Sequence, residues 1–186
     1  MRCIYFVRDN RYAKELIQKL VSHLGLRVPI RHSQQAVNVC DAKLGRYLKA
    51  GLLECGCAVA IADTEGRDPR HVADEVANHL RELGLQPQLF FDTARLVAHI
   101  SVGSVGKVAV MLAHPCLEMW LGELLGIATA PTCRDVITLL KREIGDYDKK
   151  LLPKLIAERL RGGDDPPSFL ENFKYAVTCC RKMCTD

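Results

Sequence analysis

The chain of 186 residues has no long apolar run, no strong excess of one charge and no low-complexity segment. No stretch approaches the roughly 18 consecutive apolar residues that a membrane-spanning helix requires, so we expect no membrane segment. The first residues, MRCIYFVRDN, contain a short apolar strand and lack the apolar core and small-residue cleavage site of a secretion signal. We therefore predict a cytoplasmic protein.

The composition also excludes large-scale disorder. Hydrophobic residues make up 48% of the chain and charged residues 26%, which are ordinary values for a globular protein. The length predicts one domain, or one domain with a helical extension, and the sequence contains no internal repeat. A formal net charge of +4 permits a nucleic-acid partner without requiring one.

The nine cysteines include no CxxC pair, which argues against a structural zinc knuckle. Three interpretations stay open. The thiols are buried as small hydrophobic groups, they form intracellular disulfides, or Cys180 and Cys184, one helical turn apart, provide two metal ligands. Because the count is odd, at least one thiol stays free or pairs between chains.

Apolar periodicity predicts alternating strands and helices over the first 125 residues. Residues 26–31 are predicted as an edge strand or loop because of Pro29, residues 32–38 as a polar connection and residues 93–99 as a helical patch. The remaining predicted strands are 2–7, 57–62, 88–91 and 107–113, and the predicted helices are 11–24, 39–53, 68–83, 117–125, 131–144, 151–160 and 168–183.

This alternation predicts an α/β fold with a mainly parallel sheet flanked by helices. Residues 1–126 are predicted to form the α/β core. Residues 127–186 are predicted to form an all-helical C-terminal extension that packs on the core within a single domain overall.

The stretch from Lys107 to Leu125 predicts a buried strand that passes into a helix through His114 and Pro115. Proline suits the first position of a helix, where its missing N–H has no intrahelical partner. Glu118 lies in the first turn of that helix. In α/β proteins, ligands bind at the carboxyl ends of the strands, although the helix dipole alone also favours an acid there.

Two further acids, Asp63 and Glu65, follow the strand predicted at 57–62. Side chains alternate along extended backbone, so these two point the same way, about 6–7 Å apart at Cα. Such carboxylates can share a Mg²⁺ ion, and without a cation their repulsion is unfavourable. The competing interpretation is an exposed turn. Asp9 follows the first strand and either joins this group or caps the helix predicted at 11–24.

Three motifs carry a family resemblance. His114-Pro115-Cys116-Leu117-Glu118-Met119-Trp120 looks like the Asn-Pro-x-Phe-Glu-x-Trp signature of RloB-like proteins. These proteins form a Toprim-related family associated with restriction loci and abortive phage resistance. Asp63-Thr64-Glu65 resembles the Asp-x-Asp of the Toprim fold, and Tyr147-Asp148-Lys149 resembles the Tyr-x-Lys of the same family.

The sequence also departs from that pattern. Toprim proteins carry a glutamate at the end of the first strand, typically in a Glu-Gly pair, whereas this chain reads Val7-Arg8-Asp9. His114 replaces the helix-capping asparagine, and Glu65 lengthens the second metal-binding acid. The missing first glutamate bears directly on whether the protein cleaves phosphodiesters.

The resemblance implies a Toprim-like fold and Mg²⁺-dependent (or Mn²⁺-dependent), nuclease-like phosphoryl transfer on DNA or RNA. The implied metal ligands are Asp63, Glu65 and Glu118. Asp63 and Glu118, with Asp9 in place of the first glutamate, are the implied catalytic residues.

The resemblance also implies that Arg8 and Lys149 contact phosphate, and His114 is a candidate proton carrier. Further phosphate contacts are expected from basic clusters, with a solvated helix face as the other interpretation; these clusters are Lys141-Arg142, Lys149-Lys150-Lys154 and Arg181-Lys182.

Two alternatives accompany the nuclease hypothesis. One is a catalytically inactive relative that binds nucleic acid or regulates a partner. The other is a flavodoxin-like receiver in which Asp9 and Asp63 form an acidic pocket with Lys107. Lys107 precedes its strand instead of following it, which disfavours the receiver.

Overall fold

The computed structural model describes residues 3–8, 12–38, 41–127, 130–162 and 166–181, the Arg181 side chain excepted. The described strands are β1 (Ile4–Arg8), β2 (Ile30–Ala36), β3 (Cys57–Asp63), β4 (Gln88–Asp92), β5 (Val97–Val102) and β6 (Gly106–Ala113). They form one sheet in the order β2-β1-β3-β6-β5-β4.

The strands β2, β1, β3 and β6 run parallel, and β5 and β4 continue the sheet antiparallel. The predicted α/β fold, a mostly parallel sheet flanked by helices, is confirmed. β3 and β6 pair in register through their last residues, Asp63 opposite Ala113. The loops after these two strands therefore leave the sheet side by side.

Helices cover both faces of the sheet because side chains alternate along each strand. The helices are α1 (Ala13–His23), α2 (Lys43–Cys55), α3 (Pro69–Glu82), α4 (Glu118–Leu124), α5 (Cys133–Ile144), α6 (Leu152–Leu160) and α7 (Ser168–Arg181), with a 3₁₀ turn at Lys149–Leu151. One core lies under α2 and α3. The other joins α1 to the helices that follow β6, with α7 lying on β3, β5 and β6 and α6 on α1.

The helical patch predicted at 93–99 is wrong. Residues Val97–Val102 form β5, which pairs with both β4 and β6. A turn over 93–96 precedes it, and there the Asp92 carboxylate accepts hydrogen bonds from the backbone N–H groups of Ala94 and Arg95. This local capping, which resembles a helix start, explains the error.

The polar connection predicted at 32–38 is also mostly strand, because β2 extends to Ala36. As an edge strand it has one neighbour, β1, so its sequence carries little apolar periodicity. Residues 26–31 are predicted as an edge strand or loop, and both occur: residues 26–29 are loop, and the edge strand β2 begins at Ile30.

Pro115 does not start a helix as predicted. The helix α4 begins at Glu118. The Pro115 carbonyl accepts a hydrogen bond from the Gly66 N–H, and the Leu117 N–H donates to Asp63. These bonds hold residues 114–117 against the loop after β3, so helical geometry starts later.

Two disulfides join described cysteines, Cys3 to Cys55 and Cys57 to Cys180. Cys180 is therefore not half of a metal face, and Cys184 lies outside the described residues. Cys116 and Cys133 are free thiols. Among the described residues, no helix is long and apolar enough to span a membrane.

Gly45 marks the close packing of α2 on α3. A Cβ atom at Gly45 would lie 2.8 Å from the backbone carbonyl oxygen of His79. We predict that Gly45→Ala lowers the free energy of unfolding by about 1–3 kcal/mol, despite the roughly 1 kcal/mol gain in helix propensity. Chemical denaturation measures this difference.

Gly122→Ala in α4 is the matched control. Its Cβ would come closest to the terminal methyl group of Met119, 2.8 Å away on a flexible side chain, and Ile127 would lie at an ordinary contact distance of 3.7 Å. We expect a change within about 1 kcal/mol. A Gly45→Ala protein more stable than the parent would contradict the packing.

Candidate functional site

Asp63, Glu118 and Lys149 meet at the carboxyl edge of β3 and β6. The Lys149 ammonium Nζ lies 3.6 Å from Oδ2 of Asp63 and 3.2 Å from Oε1 of Glu118. These two distances limit the separation of the carboxylate oxygens to about 7 Å at most, a span that a cation with bridging water can cover. The predicted convergence of Asp63 and Glu118 is therefore present.

The end of β3 places Asp63. It follows Val59 and Ile61 on the strand face that carries the α1 and C-terminal helices. Its Oδ1 accepts a 2.8 Å hydrogen bond from the backbone N–H of Leu117, just before α4. The Asp63 carboxylate thus connects the end of β3 to the start of α4 and leaves Oδ2 facing Lys149.

Glu118 is fully buried, and Lys149 supplies the opposite charge beside it. The Glu118 side chain is 0% exposed, whereas Lys149 is 39% exposed. Among the described residues, Glu118 Oε1 accepts no hydrogen bond. This oxygen instead forms the ion pair with Lys149. An ion pair at low local dielectric is much stronger than one in water.

The charges of this site change the acidity of Asp63. The pKa of Asp63 is raised to about 6, chiefly by burial and also by the charge of Glu118, while Lys149 and the Leu117 N–H oppose the rise. Near neutral pH, Asp63 is thus a carboxylate that can gain or release a proton. This is the property required of a general acid or base.

Two thiols and a phenol surround Glu118, and sequence reasoning did not assign them to the site. The Cys133 Sγ lies 4.0 Å from Glu118 Oε2. One ligand atom each from Cys116, Glu118 and Cys133 lies within 4.8 Å of the others. The hydroxyl of Tyr147 is buried nearby without a hydrogen-bond partner among the described residues.

The thiols of Cys116 and Cys133 change each other's acidity. A hydrogen bond between them raises the pKa of Cys116 and lowers the pKa of Cys133, and burial and Glu118 raise the pKa of Cys116 further. Burial also raises the pKa of Tyr147, with Glu118 adding to the rise. Cys116 and Tyr147 lie within the motifs of the family resemblance, whereas no local pattern marked Cys133.

Glu65 does not join Asp63 as predicted. β3 ends at Asp63, and Glu65 adopts a left-handed backbone conformation with φ of 54°, so strand alternation no longer applies. Its exposed carboxylate lies 3.5 Å from the amide of Asn38. Among the described residues, Asp63, Glu65 and Glu118 form no group with oxygens all within 4.8 Å.

His114 is exposed, and its Nδ1 lies 2.8 Å from the hydroxyl of Thr64, which is fully buried. The same hydroxyl donates to the Pro115 carbonyl at 3.3 Å. His114 therefore helps to hold the loop after β3 against the loop after β6, beside the acidic pair.

Arg8 ends β1 and binds the neighbouring edge strand. Its guanidinium donates 2.8 Å hydrogen bonds to the backbone carbonyls of Ser33 and Gln34. These contacts stabilise β2 and commit the Arg8 side chain to that strand. The predicted catalytic residue Asp9 lies outside the described residues.

The raised pKa of Asp63 predicts a pH-dependent cost to stability. The native state binds the Asp63 proton more tightly than the unfolded chain does. The stability that this proton contributes is therefore fully present below about pH 4 and is lost as the pH rises through about 6. In the presence of a chelator, the free energy of unfolding of Asp63→Asn should be about 1–3 kcal/mol higher than that of the parent at pH 8. Near pH 4 the two proteins should differ little. Denaturant unfolding at both pH values measures this.

Asp74→Asn is the control, since Asp74 forms an exposed pair with Arg70 on α3. It should show no comparable gain at pH 8. An Asp63→Asn protein less stable than the parent at pH 8 would show that the Lys149 pair outweighs burial.

Comparison of the chain with protein-family models, curated proteins and solved structures found no match. The RloB-like and Toprim-related resemblance stays a prediction, and the site is interpreted from its own residues.

Proposed function

We propose that the protein catalyses Mg²⁺-dependent (or Mn²⁺-dependent), nuclease-like phosphoryl transfer on nucleic acid, as a Toprim-like protein of the RloB type. The observation that carries the proposal is that Asp63 and Glu118 contact one ammonium group at the carboxyl edge of β3 and β6. Because α/β enzymes place their chemistry at this edge, the position supports an active site.

The residues present fit a hard divalent cation. The Asp63 and Glu118 oxygens face the same cationic group, and the buried Glu118 Oε1 accepts no hydrogen bond among the described residues. Mg²⁺ is usually held by one or two carboxylates and keeps waters for substrate phosphate. A bound Mg²⁺ or Mn²⁺ would polarise a phosphoryl oxygen and lower the pKa of a bound water.

The protein groups supply the remaining roles. A carboxylate of the site would accept a proton from the attacking water, and in the absence of a cation the pKa of Asp63 is already raised to about 6. Lys149 is partly exposed and lies between the acids, so its ammonium can turn to a substrate phosphate once another cation balances the carboxylates. Such a contact is electrostatic and blind to base sequence.

Exposed basic side chains on the adjacent elements favour a nucleic acid as the substrate. They lie on α5, in the 3₁₀ turn and on α6, the segment that also carries Lys149. Several pair with exposed neighbouring acids, as Lys150 does with Asp148 and Lys154 with Glu158. Exposed pairs of this kind are weak, so phosphate can replace the acid.

A specific contact also favours the second candidate function, a catalytically inactive protein that binds nucleic acid or regulates a partner. The ammonium of Lys149 already forms ion pairs with both acids and occupies the place between them. Arg8, at the position of the first Toprim glutamate, is engaged with the β2 backbone. Under this alternative, the protein binds nucleic acid without cleaving it.

Cleavage of DNA and RNA substrates with and without Mg²⁺ distinguishes the two functions. We predict activity that requires a divalent cation and falls at least about 100-fold in Glu118→Gln and in Asp63→Ala, because each removes a carboxylate from the cation. Binding without cleavage in the parent protein would support the inactive alternative, and cleavage in chelator would overturn the metal-dependent proposal.

Asp74→Asn serves as the matched control, because it also removes one acid but lies in the exposed pair on α3. Its activity should equal that of the parent. Equal loss in this control would show that the assay reports net charge and not the site.

Glu65→Gln tests the geometry separately. Because Glu65 lies in a left-handed turn and does not group with Asp63 and Glu118, we expect the variant to keep activity within about threefold, a change below 1 kcal/mol. If Glu65→Gln is as inactive as Asp63→Ala, the predicted three-acid metal site is correct and two acids do not suffice.

A further inference from the structure

Cys116, Glu118 and Cys133 place two sulfurs and one carboxylate oxygen within 4.8 Å of one another. Cys116 and Glu118 flank the start of α4, and Cys133 is the first residue of the neighbouring helix α5. Cys116 and Glu118 are buried, and Cys133 is half-buried. The proximity of these three donors depends on the packing of two different helices and not on the periodicity of one element.

The donor types select the metal. Thiolate sulfur is a soft ligand that favours Zn²⁺ over Mg²⁺, while one carboxylate oxygen is also common on zinc. Zinc sites with three protein ligands and one open position are typical of catalytic centres, whereas structural sites are closed by four. The donor set here has three members.

The Tyr147 hydroxyl is a second, independent sign of a ligand. Tyr147 is 6% exposed, and its hydroxyl has no hydrogen-bond partner among the described residues. Tyr147 lies two residues before Lys149, whose ammonium is 3.2 Å from Glu118 Oε1, so the chain carries it to the same region as this donor set. Buried hydroxyl groups almost always have a partner, and an unpaired one is costly.

We propose that Cys116, Cys133 and Glu118 bind a Zn²⁺ ion, with Tyr147 hydrogen-bonding to the group that fills the fourth position. Binding takes up one divalent ion and releases the two thiol protons to solvent, so both sulfurs coordinate as thiolates. No electron is transferred.

Charge balance favours this occupant. Two thiolates and the Glu118 carboxylate carry three negative charges. A divalent ion offsets two of them, and the Lys149 ammonium, 3.2 Å from Glu118 and 3.6 Å from Asp63, offsets part of the third. The start of α5 adds favourable backbone N–H dipoles at Cys133. The ligand cluster is otherwise expensive to bury in ionised form.

The zinc site and the proposed Mg²⁺ site overlap at Glu118 but differ in their other ligands. The zinc proposal rests on Cys116 and Cys133, whereas phosphoryl transfer rests on Asp63. The two proposals can therefore fail independently, and if both hold, Zn²⁺ competes with Mg²⁺ for Glu118.

Titration of the metal-free protein with Co²⁺, a spectroscopic substitute for Zn²⁺, tests the proposal directly. The probe is the metal alone, added to the full chain with its disulfides intact and with free thiols counted beforehand. We expect one equivalent to bind with the visible bands of a tetrahedral site and a thiolate-to-cobalt charge-transfer absorption, and Zn²⁺ to displace it. Weak octahedral bands without charge transfer would overturn the proposal.

Three variants assign the ligands. Cys133→Ser and Cys116→Ser should each weaken binding more than about 100-fold and reduce the charge-transfer band. Tyr147→Phe should weaken binding about 10-fold without changing the sulfur bands, as expected of an outer partner. Unchanged binding in either serine variant would refute the site.

Asp63→Asn is the matched comparison, since it removes the acid on which only the Mg²⁺ proposal depends. Its cobalt spectrum should stay intact while Mg²⁺-dependent cleavage is lost. Loss of the charge-transfer band in this variant would show that the two sites are one, and would overturn the assignment of a separate zinc site.

Discussion

The buried carboxylate of Glu118 is the constraint on which the site depends. An isolated charge in a protein interior is costly and must be paired, bonded to a metal or neutralised by protonation. Here Lys149 lies 3.2 Å away, and the surrounding thiols and Tyr147 offer other ways to compensate the charge. Each proposed metal site would compensate the negative charge of Glu118 with a bound cation.

The parallel arrangement of β3 and β6 brings the compensating groups together. In-register pairing to Asp63 and Ala113 lets the two following loops bond to each other through Thr64, Pro115 and Leu117. These bonds set the direction of α4 and therefore of Glu118. The C-terminal helices then bring Cys133 and Lys149 against the same point.

The sequence predicted the position of the acids better than their partners. Strand ends are visible as apolar runs, so the convergence of Asp63 and Glu118 followed from topology. Glu65 was placed wrongly because alternation stops where the strand stops, and β5 was missed because the Asp92 turn resembles a helix cap. The role of Cys133 could not be predicted, since its proximity to Glu118 is a tertiary contact without a local pattern.

Apart from Cys116, the groups that compensate Glu118 come from residues 133–149, beyond the predicted boundary at 126. During synthesis, Glu118 therefore leaves the ribosome before its counter-ion does. Until Lys149 follows, the carboxylate of Glu118 lacks the ammonium group that lies beside it in the folded protein. A chain cut between these two residues would therefore leave the buried acid without that counter-charge.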